Sequence, residues 1–483
     1  MPLRLALAGL ADSPWRIVPL VVALLDLYVL GRAITRRQGV EATLAWIFAI
    51  LALPGVGAVA YLLLANPRVR HTTRRMQRAR EVVRAAQDLA AEAESRDGAG
   101  GPGYEVFSLV AAATGLPPRA GQRVELLSRD QDAFECMAAA LAGAERRIWA
   151  EYYIIADDET GKRFLAALAA AAARGVEVRL IYDALGSFRL DRRRLAPIVA
   201  AGGRVAPFLP LNPLRRKFAA LLRNHRKLIV VDDRLGFTGG MNIGDEYSGF
   251  APKKGKRPFR DSHLELEGPI VADLALLFAE DWRFATDESL GELGPAPPAC
   301  GPAIGQLLPS GPDHAWNANA LAYFRGISTA RRRVWLATAY FVPDESVLRA
   351  LQAAALAGVD VRVMVPAQSD VRLLGPAARS YFPALLRAGV RVYEYLPAML
   401  HSKTLVVDSA WGIVGSANAD VRSFRLNFEV GALVADVGFA RRLEATFEED
   451  QAASREVTLE AIARLTRRER LRDGLARLLS PLL

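Results

Sequence analysis

The sequence predicts an α/β protein: two pseudo-twofold-related α/β sandwich repeats behind an N-terminal transmembrane helical hairpin. Three observations carry this. A motif of pattern H-x-K-x4-D-x6-G-x2-N occurs as His225, Lys227, Asp232, Gly239 and Asn242, and again as His401, Lys403, Asp408, Gly415 and Asn418. Strand-like and helix-like segments alternate in the same order ahead of both copies. Two long apolar runs precede everything else.

The apolar runs cover 17–30, interrupted only by Asp26, and 42–65, which carries no charge. A bilayer core takes about 20 apolar residues as helix. The second run meets that length; the first does so with Trp15 and its neighbours in the interface, and Asp26 then needs a partner. A signal peptide competes for the N-terminus, but the apolar stretch after Arg4 is short and both runs would remain as anchors. We read two spans in a hairpin, with one span plus a re-entrant or interfacial segment as the alternative. Arg68, Arg70, Arg74, Arg75, Arg78, Arg80 and Arg84 follow the second run, against Arg32, Arg36 and Arg37 between the runs. The positive-inside rule therefore places the main body in the cytoplasm, on a multi-pass anchor.

Residues 70–95 read as a polar helix, closed by the glycine-rich stretch at 97–103. Arg146-Arg147-Ile148-Trp149 then corresponds to Arg332-Arg333-Val334-Trp335, each opening a strand. An alanine- and leucine-rich helix follows in both copies. Gly175-Val176-Glu177-Val178 matches Gly358-Val359-Asp360-Val361 as a buried strand, and a further helix and strand (204–209; 390–395) lead to each histidine. Such alternation argues for a largely parallel central part used twice. The expected organisation is a hairpin (1–69), a connecting helix and linker (70–123), a first repeat (124–288), a Pro/Gly-rich linker (289–303), a second repeat (304–455) and a basic amphipathic C-terminal segment (456–483). The first copy carries an insertion at 212–224 that alternates basic and apolar residues, read either as a membrane-surface segment or as an ordinary amphipathic helix. The basic run at 253–257 reads as a solvated loop.

In a strand, residues i and i+2 share a face, so His225 projects with Lys227 and His401 with Lys403. Bringing both pairs to one seam would let two ammonium groups and the amides of Asn242 and Asn418 hold the oxygens of a phosphodiester. One neutral histidine attacks phosphorus while the other, protonated, gives its proton to the leaving alkoxide. Each ring needs a group to orient its second nitrogen. Glu429 is the candidate downstream of the second motif, and Asp261 with His263 stands at the matching place of the first. Asp232 and Asp408 complete the motif and count among its candidate catalytic residues, although their place at the far end of each strand suits a turn or salt bridge. A lone H-x-K would be noise; two full copies in register are not. His263 suits an orienting or structural role better than chemistry. His71 and His314 have no constellation around them.

The net charge of +10 fits an anionic partner, nucleic acid or a phospholipid surface. Cys136 and Cys300 are isolated, and neither a disulfide framework, a metal-ligand cluster nor a cofactor motif is visible, so the expected chemistry uses no metal and no cofactor.

With these residues placed, the chain resembles the phospholipase D superfamily, and more closely its bacterial cardiolipin synthases. The resemblance runs through Asn224-His225-Arg226-Lys227, the block 236–247, Arg260-Asp261-Ser262-His263, Tyr340-Phe341-Val342-Pro343 and Arg422-Ser423-Phe424-Arg425-Leu426-Asn427-Phe428-Glu429, and thus covers nearly the whole chain. Ala419, where an aromatic is usual, and Gly431, often Asn, depart from the pattern. The resemblance implies a phospholipase D-like fold and transfer of a phosphatidyl group between two phosphatidylglycerol molecules, giving cardiolipin and glycerol. It also implies His225 as nucleophile and His401 as acid, which the residues themselves leave undecided.

The expected partners are phosphatidylglycerol and the anionic membrane surface, with no nucleic acid; an oligomer is left open. A hydrolytic phospholipase would use the same residues with water as acceptor. A nuclease shares the motif, but the apolar runs and the lack of interleaved aromatic and basic residues near it argue against one.

Overall fold

The structure is a computed structural model that describes residues 17–35, 40–64, 67–86, 103–210, 222–249 and 258–479. The chain forms two compact units, Met1–Thr72 and Thr73–Leu483. The insertion at 212–221, the basic run at 253–257 and the glycine-rich stretch up to 102 lie outside the described residues.

In the first unit, helix α1 (Val18–Thr35) is the one described helix long and apolar enough to cross a membrane. Its 18 residues rise about 27 Å. The second apolar run is not a single helix but two, α2 (Val40–Ala52) and α3 (Val56–Leu64). Pro54 has no N–H to continue the ladder, and Gly55 turns into the left-handed region at φ 76°. The pieces rise about 20 and 14 Å, each short of a bilayer core of about 30 Å. Asp26 finds its partner at this break, where the Gly55 N–H lies 3.0 and 3.1 Å from its two carboxylate oxygens. Val29, Ala33, Ile50, Ala58 and Tyr61 are buried together. Leu20, Leu24, Leu27, Phe48 and Leu51 remain exposed.

The second unit is built on one 16-stranded mixed sheet. Its first seven long strands are β1 (Arg119–Leu127), β2 (Arg147–Tyr152), β3 (Glu177–Asp183), β4 (Arg204–Phe208), β5 (Leu228–Val231), β6 (Leu235–Gly239) and β7 (His263–Glu267). The other long strands are β8 (Ala303–Ser310), β9 (Arg333–Thr338), β10 (Asp360–Pro366), β11 (Arg391–Tyr395), β12 (Lys403–Val407), β13 (Trp411–Gly415), β14 (Asn427–Ala435) and β15 (Ser454–Val457), and the two-residue strand Arg223–Asn224, paired with β14, is the sixteenth. The first half runs β4-β3-β2-β5-β6-β7-β1 and the second β11-β10-β9-β12-β13-β14-β8, joined through an antiparallel β1–β8 pair. Among the long strands, parallel pairing is confined to β2-β3-β4 and β9-β10-β11; the strands that follow the histidines pair antiparallel. Each half packs its own apolar core, around Ile148, Leu168, Leu180 and Ile229 in one and Val334, Leu351, Val363 and Leu405 in the other.

Local details repeat as the sequence suggests. The Trp149 indole donates to Glu177 at 3.1 Å and the Trp335 indole to Asp360 at 3.0 Å. The Asp232 carboxylate accepts the main-chain N–H groups of Glu145, Arg146 and Arg147 at 2.7–3.0 Å; Asp408 does the same for Arg331, Arg332 and Arg333 at 2.7–2.9 Å. Both aspartates sit in tight turns at positive φ. They tie each histidine-bearing strand to the start of its neighbour and lie about 15 Å of strand away from the lysines. Of the two roles open to them, the observed contacts are those of a turn.

The helix Pro67–Ala86 contributes to this unit from Thr73 onward. Arg84 meets the buried Glu280 at 2.7 Å and Arg80 the buried Asp313 at 3.4 Å. Two of the arginines counted for orientation are thus engaged inside the body.

Candidate active site

The two histidine segments are pinned by strands from opposite halves. Arg223–Asn224 pairs parallel with the start of β14, and the His225 N–H donates to the Phe428 carbonyl at 2.8 Å. Met399–Leu400 pairs parallel with Phe259–Arg260, and the His401 N–H donates to the Arg260 carbonyl at 2.7 Å. The ring contacts cross in the same way. His225 Nδ1 lies 3.0 Å from Glu429 Oε2, and His401 Nδ1 lies 2.5 Å from Asp261 Oδ2. Each histidine is therefore oriented by a carboxylate from the other half. A carboxylate facing Nδ1 favours the proton there and leaves Nε2 as the open nitrogen of each ring.

Burial and charge set the protonation states. Burial lowers His225, against the pull of Glu429, and takes His401 down to about 4, helped by the Lys403 ammonium 2.7 Å from its Nδ1. Glu429 would be raised by burial, but His225, Lys227 and the Ser416 hydroxyl, 2.5 Å away, hold it below its usual range. His225 and Lys403 also serve each other as like charges, as do His401 and Lys227. Each histidine thus feels the lysine charge of the other half. The lysines are fully buried: burial brings Lys227 to about 7 and Lys403 to about 8, opposed by Glu429 and Asp261. Their ammonium groups rest on main-chain carbonyls, Lys227 on that of His225 at 2.6 Å and Lys403 on that of His401.

The motif glycines explain how the carboxylates get in. A Cβ on Gly240 would stand 2.1 Å from an Asp261 oxygen, and one on Gly239 would stand 2.6 Å from the His263 ring. The second half has Ser416 in place of Gly240, and its hydroxyl bonds Glu429 instead. Among the departures from the family pattern, the bare Gly431 leaves room for Asn319, whose amide oxygen would lie 3.3 Å from an added Cβ.

The expected asparagine pair is not a pair. Asn418 lines a cavity of about 280 Å3 beside His225, and its Oδ1 is buried without a hydrogen-bond partner among the described residues. Asn242 is turned to the scaffold: its Oδ1 accepts from the Ile154 N–H at 3.1 Å and its Nδ2 donates to the Tyr247 hydroxyl at 2.8 Å. His263 is fully buried behind Gly239, neither ring nitrogen has a partner among the described residues, and burial lowers it to about 4.

Several residues escape a reading of the motif alone. Arg226, between the reacting His and Lys, faces the opposite way and ion-pairs with Asp281, both fully buried; alternation along the strand was the available signal. Tyr153 packs on His225 with ring centroids 4.7 Å apart, and Phe259 stacks on His401 at 5.2 Å. Arg223, Tyr340, Arg422 and Asn427 line the cavity with Asn418. No periodicity or spacing singles these out.

A mixed sheet whose halves each bring a histidine and a lysine to one seam, with each histidine held by a carboxylate, defines a phospholipase D-type protein. Comparison with known proteins agrees. The family described as "Cardiolipin synthase, PLD-like domain" matches residues 137–249 and 323–451, and "Phospholipase_D-nuclease N-terminal" matches 20–66. Cardiolipin synthase A of Pseudomonas aeruginosa is 37% identical over 469 residues, covering 95% of each chain. A cardiolipin synthase of Halalkalibacterium halodurans is 36% identical over 454 residues, covering 91% of this chain and 89% of its own. Among solved structures, a phosphatidylserine synthase of Haemophilus influenzae superposes with a TM-score of 0.59 at 14% identity, over 78% of this chain and 100% of its own, a likeness of fold. The chain belongs to the cardiolipin synthase family of the phospholipase D superfamily.

Proposed function

We propose that this enzyme transfers a phosphatidyl group from one phosphatidylglycerol to a hydroxyl of another, through a phosphohistidine. The crossed histidine–carboxylate pairs carry this reading, because they hold both rings by Nδ1 while two buried lysine charges act on the same rings. The lysines hold the non-bridging oxygens of the diester, and the entering negative charge raises the histidine pKa values toward the working range. His225 Nε2 attacks phosphorus as the P–O bond to the glycerol headgroup breaks. His401 gives its Nε2 proton to the departing alkoxide. The hydroxyl of the second phosphatidylglycerol then passes its proton to His401 and displaces His225 from phosphorus, releasing cardiolipin.

The N-terminal unit serves as the anchor, a hairpin whose second limb bends at Leu53–Gly55. The apolar side chains exposed on α1 and α2 support this, and the arginine bias supports a catalytic body on the cytoplasmic side. The matching strand order of the two halves supports a pseudo-twofold pair of repeats over 124–288 and 304–455.

The test is mass analysis of the lipids formed from pure phosphatidylglycerol vesicles, with and without phosphatidylethanolamine. Cardiolipin and glycerol are expected; phosphatidic acid without cardiolipin would replace the transferase reading by a hydrolase. His225→Ala and His401→Ala should each abolish turnover, and retained activity removes that histidine from the mechanism.

A further inference from the structure

We infer that the helix Arg467–Leu479 docks on an anionic lipid surface, with Leu471, Leu475 and Leu478 entering the headgroup layer and its arginines meeting lipid phosphates. This goes beyond the transfer reaction and stands whichever acceptor the enzyme uses.

The helix starts at a capping box. The Thr466 main-chain N–H and hydroxyl both reach Glu469 Oε2 at 2.8 Å, and the Glu469 N–H lies 3.3 Å from the Thr466 hydroxyl. One face then seats on the body: Asp473 accepts two hydrogen bonds of 2.7 Å from Arg379, and Ala476 is buried with Val342, Leu374 and Ala377. Spacings of four and three residues put Leu471, Leu475 and Leu478 together on the opposite face. They are 64%, 53% and 72% exposed, against 5% and 1% for Asp473 and Ala476. The described residues leave this leucine row uncovered.

Charge selects what covers it. Arg467, Arg468, Arg470, Arg472 and Arg477 stand around the row, and all five are exposed. The two acids of the helix face other work, Glu469 in the capping box and Asp473 against Arg379, with Arg472 at 3.7 Å. Arg467 and Arg468 occupy the first turn, where cations oppose the helix dipole, and Arg468 and Arg472 are like charges one turn apart. Helix stability therefore does not account for these arginines, whereas an anionic surface does. Leucines rimmed by arginines on one outward face suit a helix lying in the plane of an anionic bilayer. Beside the row, a cavity of about 560 Å3 opens toward the short helix Leu459–Ala463, where Leu459, Ile462 and Leu465 meet Arg387 and Arg470. It repeats the same pairing of apolar and basic groups.

The helix also stands close to the reacting groups. Leu374, which packs with Ala476, lines the cavity beside His225 together with Tyr340 and Val371. A helix is about 10 Å across, so lipid on its outer face lies about that far from the cavity wall. Docking thus holds the histidines at the lipid surface.

The experiment follows single side chains in the full-length protein reconstituted into vesicles. Cys136→Ala and Cys300→Ala remove the native thiols, and Leu475→Cys carries an environment-sensitive fluorophore. In phosphatidylglycerol vesicles its emission should shift to the blue and be quenched by bromine on the upper acyl chains, and Leu478→Cys should behave alike. In phosphatidylcholine vesicles both probes should stay in water. Arg467→Gln with Arg468→Gln should lower the docked-to-free ratio about fivefold for each charge removed. Leu356→Cys is the control: Leu356 is 74% exposed but closes the helix that leads to the start of β10, whereas Val371 of the cavity follows the end of that strand. Its probe should stay in water in either lipid. Emission at 475 and 478 matching that at 356 would overturn the docking, and equal quenching in both lipids would overturn its anionic basis. A blue shift without bromine quenching that grows with protein density would give the face to a second copy of the chain instead. None of these readouts needs turnover, so the lipid products judge the transferase reading separately.

Discussion

Replacing Glu429 by Gln keeps the size of the side chain and removes its charge, at a site 0% exposed to solvent. Three contacts depend on that carboxylate: the His225 ring at 3.0 Å, the Ser416 hydroxyl at 2.5 Å and the Asn427 amide at 3.1 Å. The hydrogen bond to His225 forms in the ground state but would strengthen as the ring becomes the cationic phosphohistidine of the proposed mechanism. A hydrogen bond to a charged group contributes about 1.5–3 kcal/mol. A pair of opposite charges about 4 Å apart attracts by about 4 kcal/mol at an effective dielectric of 20. A loss of about 2–4 kcal/mol of transition-state stabilisation lowers kcat roughly 30- to 1,000-fold. The sign of the accompanying pKa change is fixed: without the carboxylate, His225 and Lys227 both lose protons more readily. The assay is initial cardiolipin formation together with single-turnover trapping of labelled phosphoenzyme. Slower formation of the phosphoenzyme is expected, with a fold intact by circular dichroism. A kcat within threefold of wild type would refute the claim that a carboxylate from the second half orients the histidine of the first.

Other expectations follow from the same geometry. The pH profile of kcat/KM should decline on the alkaline side between about pH 7 and 8, as Lys227 and Lys403 of the free enzyme lose their protons. Bound phosphate favours the ammonium forms, so the limb in kcat should lie higher, and a flat profile to pH 9 would contradict the assigned lysines. Arg226→Ala strands Asp281 and Glu151 in a buried acid cluster and should cost about 3–5 kcal/mol of stability, read from denaturant unfolding; a loss under about 1 kcal/mol would show the pair to be dispensable. Asp232→Ala removes three main-chain acceptor contacts and should lower Tm while leaving kcat within about threefold, because a turn residue acts on folding rather than on the transition state. A kcat loss comparable to that of Lys227→Ala would return this aspartate to the site.

Much of this site was legible in the sequence because strand geometry is local. A period of two puts His225 with Lys227 and Arg226 on the other face, whatever the rest of the chain does. Duplication with conserved spacing then announced two matching strands and two matching turns, and the Asp232 and Asp408 turns came out alike to within tenths of an ångström. The apolar runs were equally plain, but their continuity was not: Pro54 and Gly55 break the second run into two helices. Asn242 and Asn418 are identical in the motif and unlike in place, since Tyr247 and the Ile154 N–H claim the first and a cavity receives the second.

By itself the sequence determined the reacting groups, their spacing and the sheet halves that carry them, all properties of residues near one another along the chain. Only the tertiary structure decided which carboxylate serves which histidine. Glu429 reaches His225 and Asp261 reaches His401 because short parallel pairings stitch each histidine segment to the opposite half. That exchange depends on how two separately cored halves meet, and contacts between distant segments leave no periodic trace in either one.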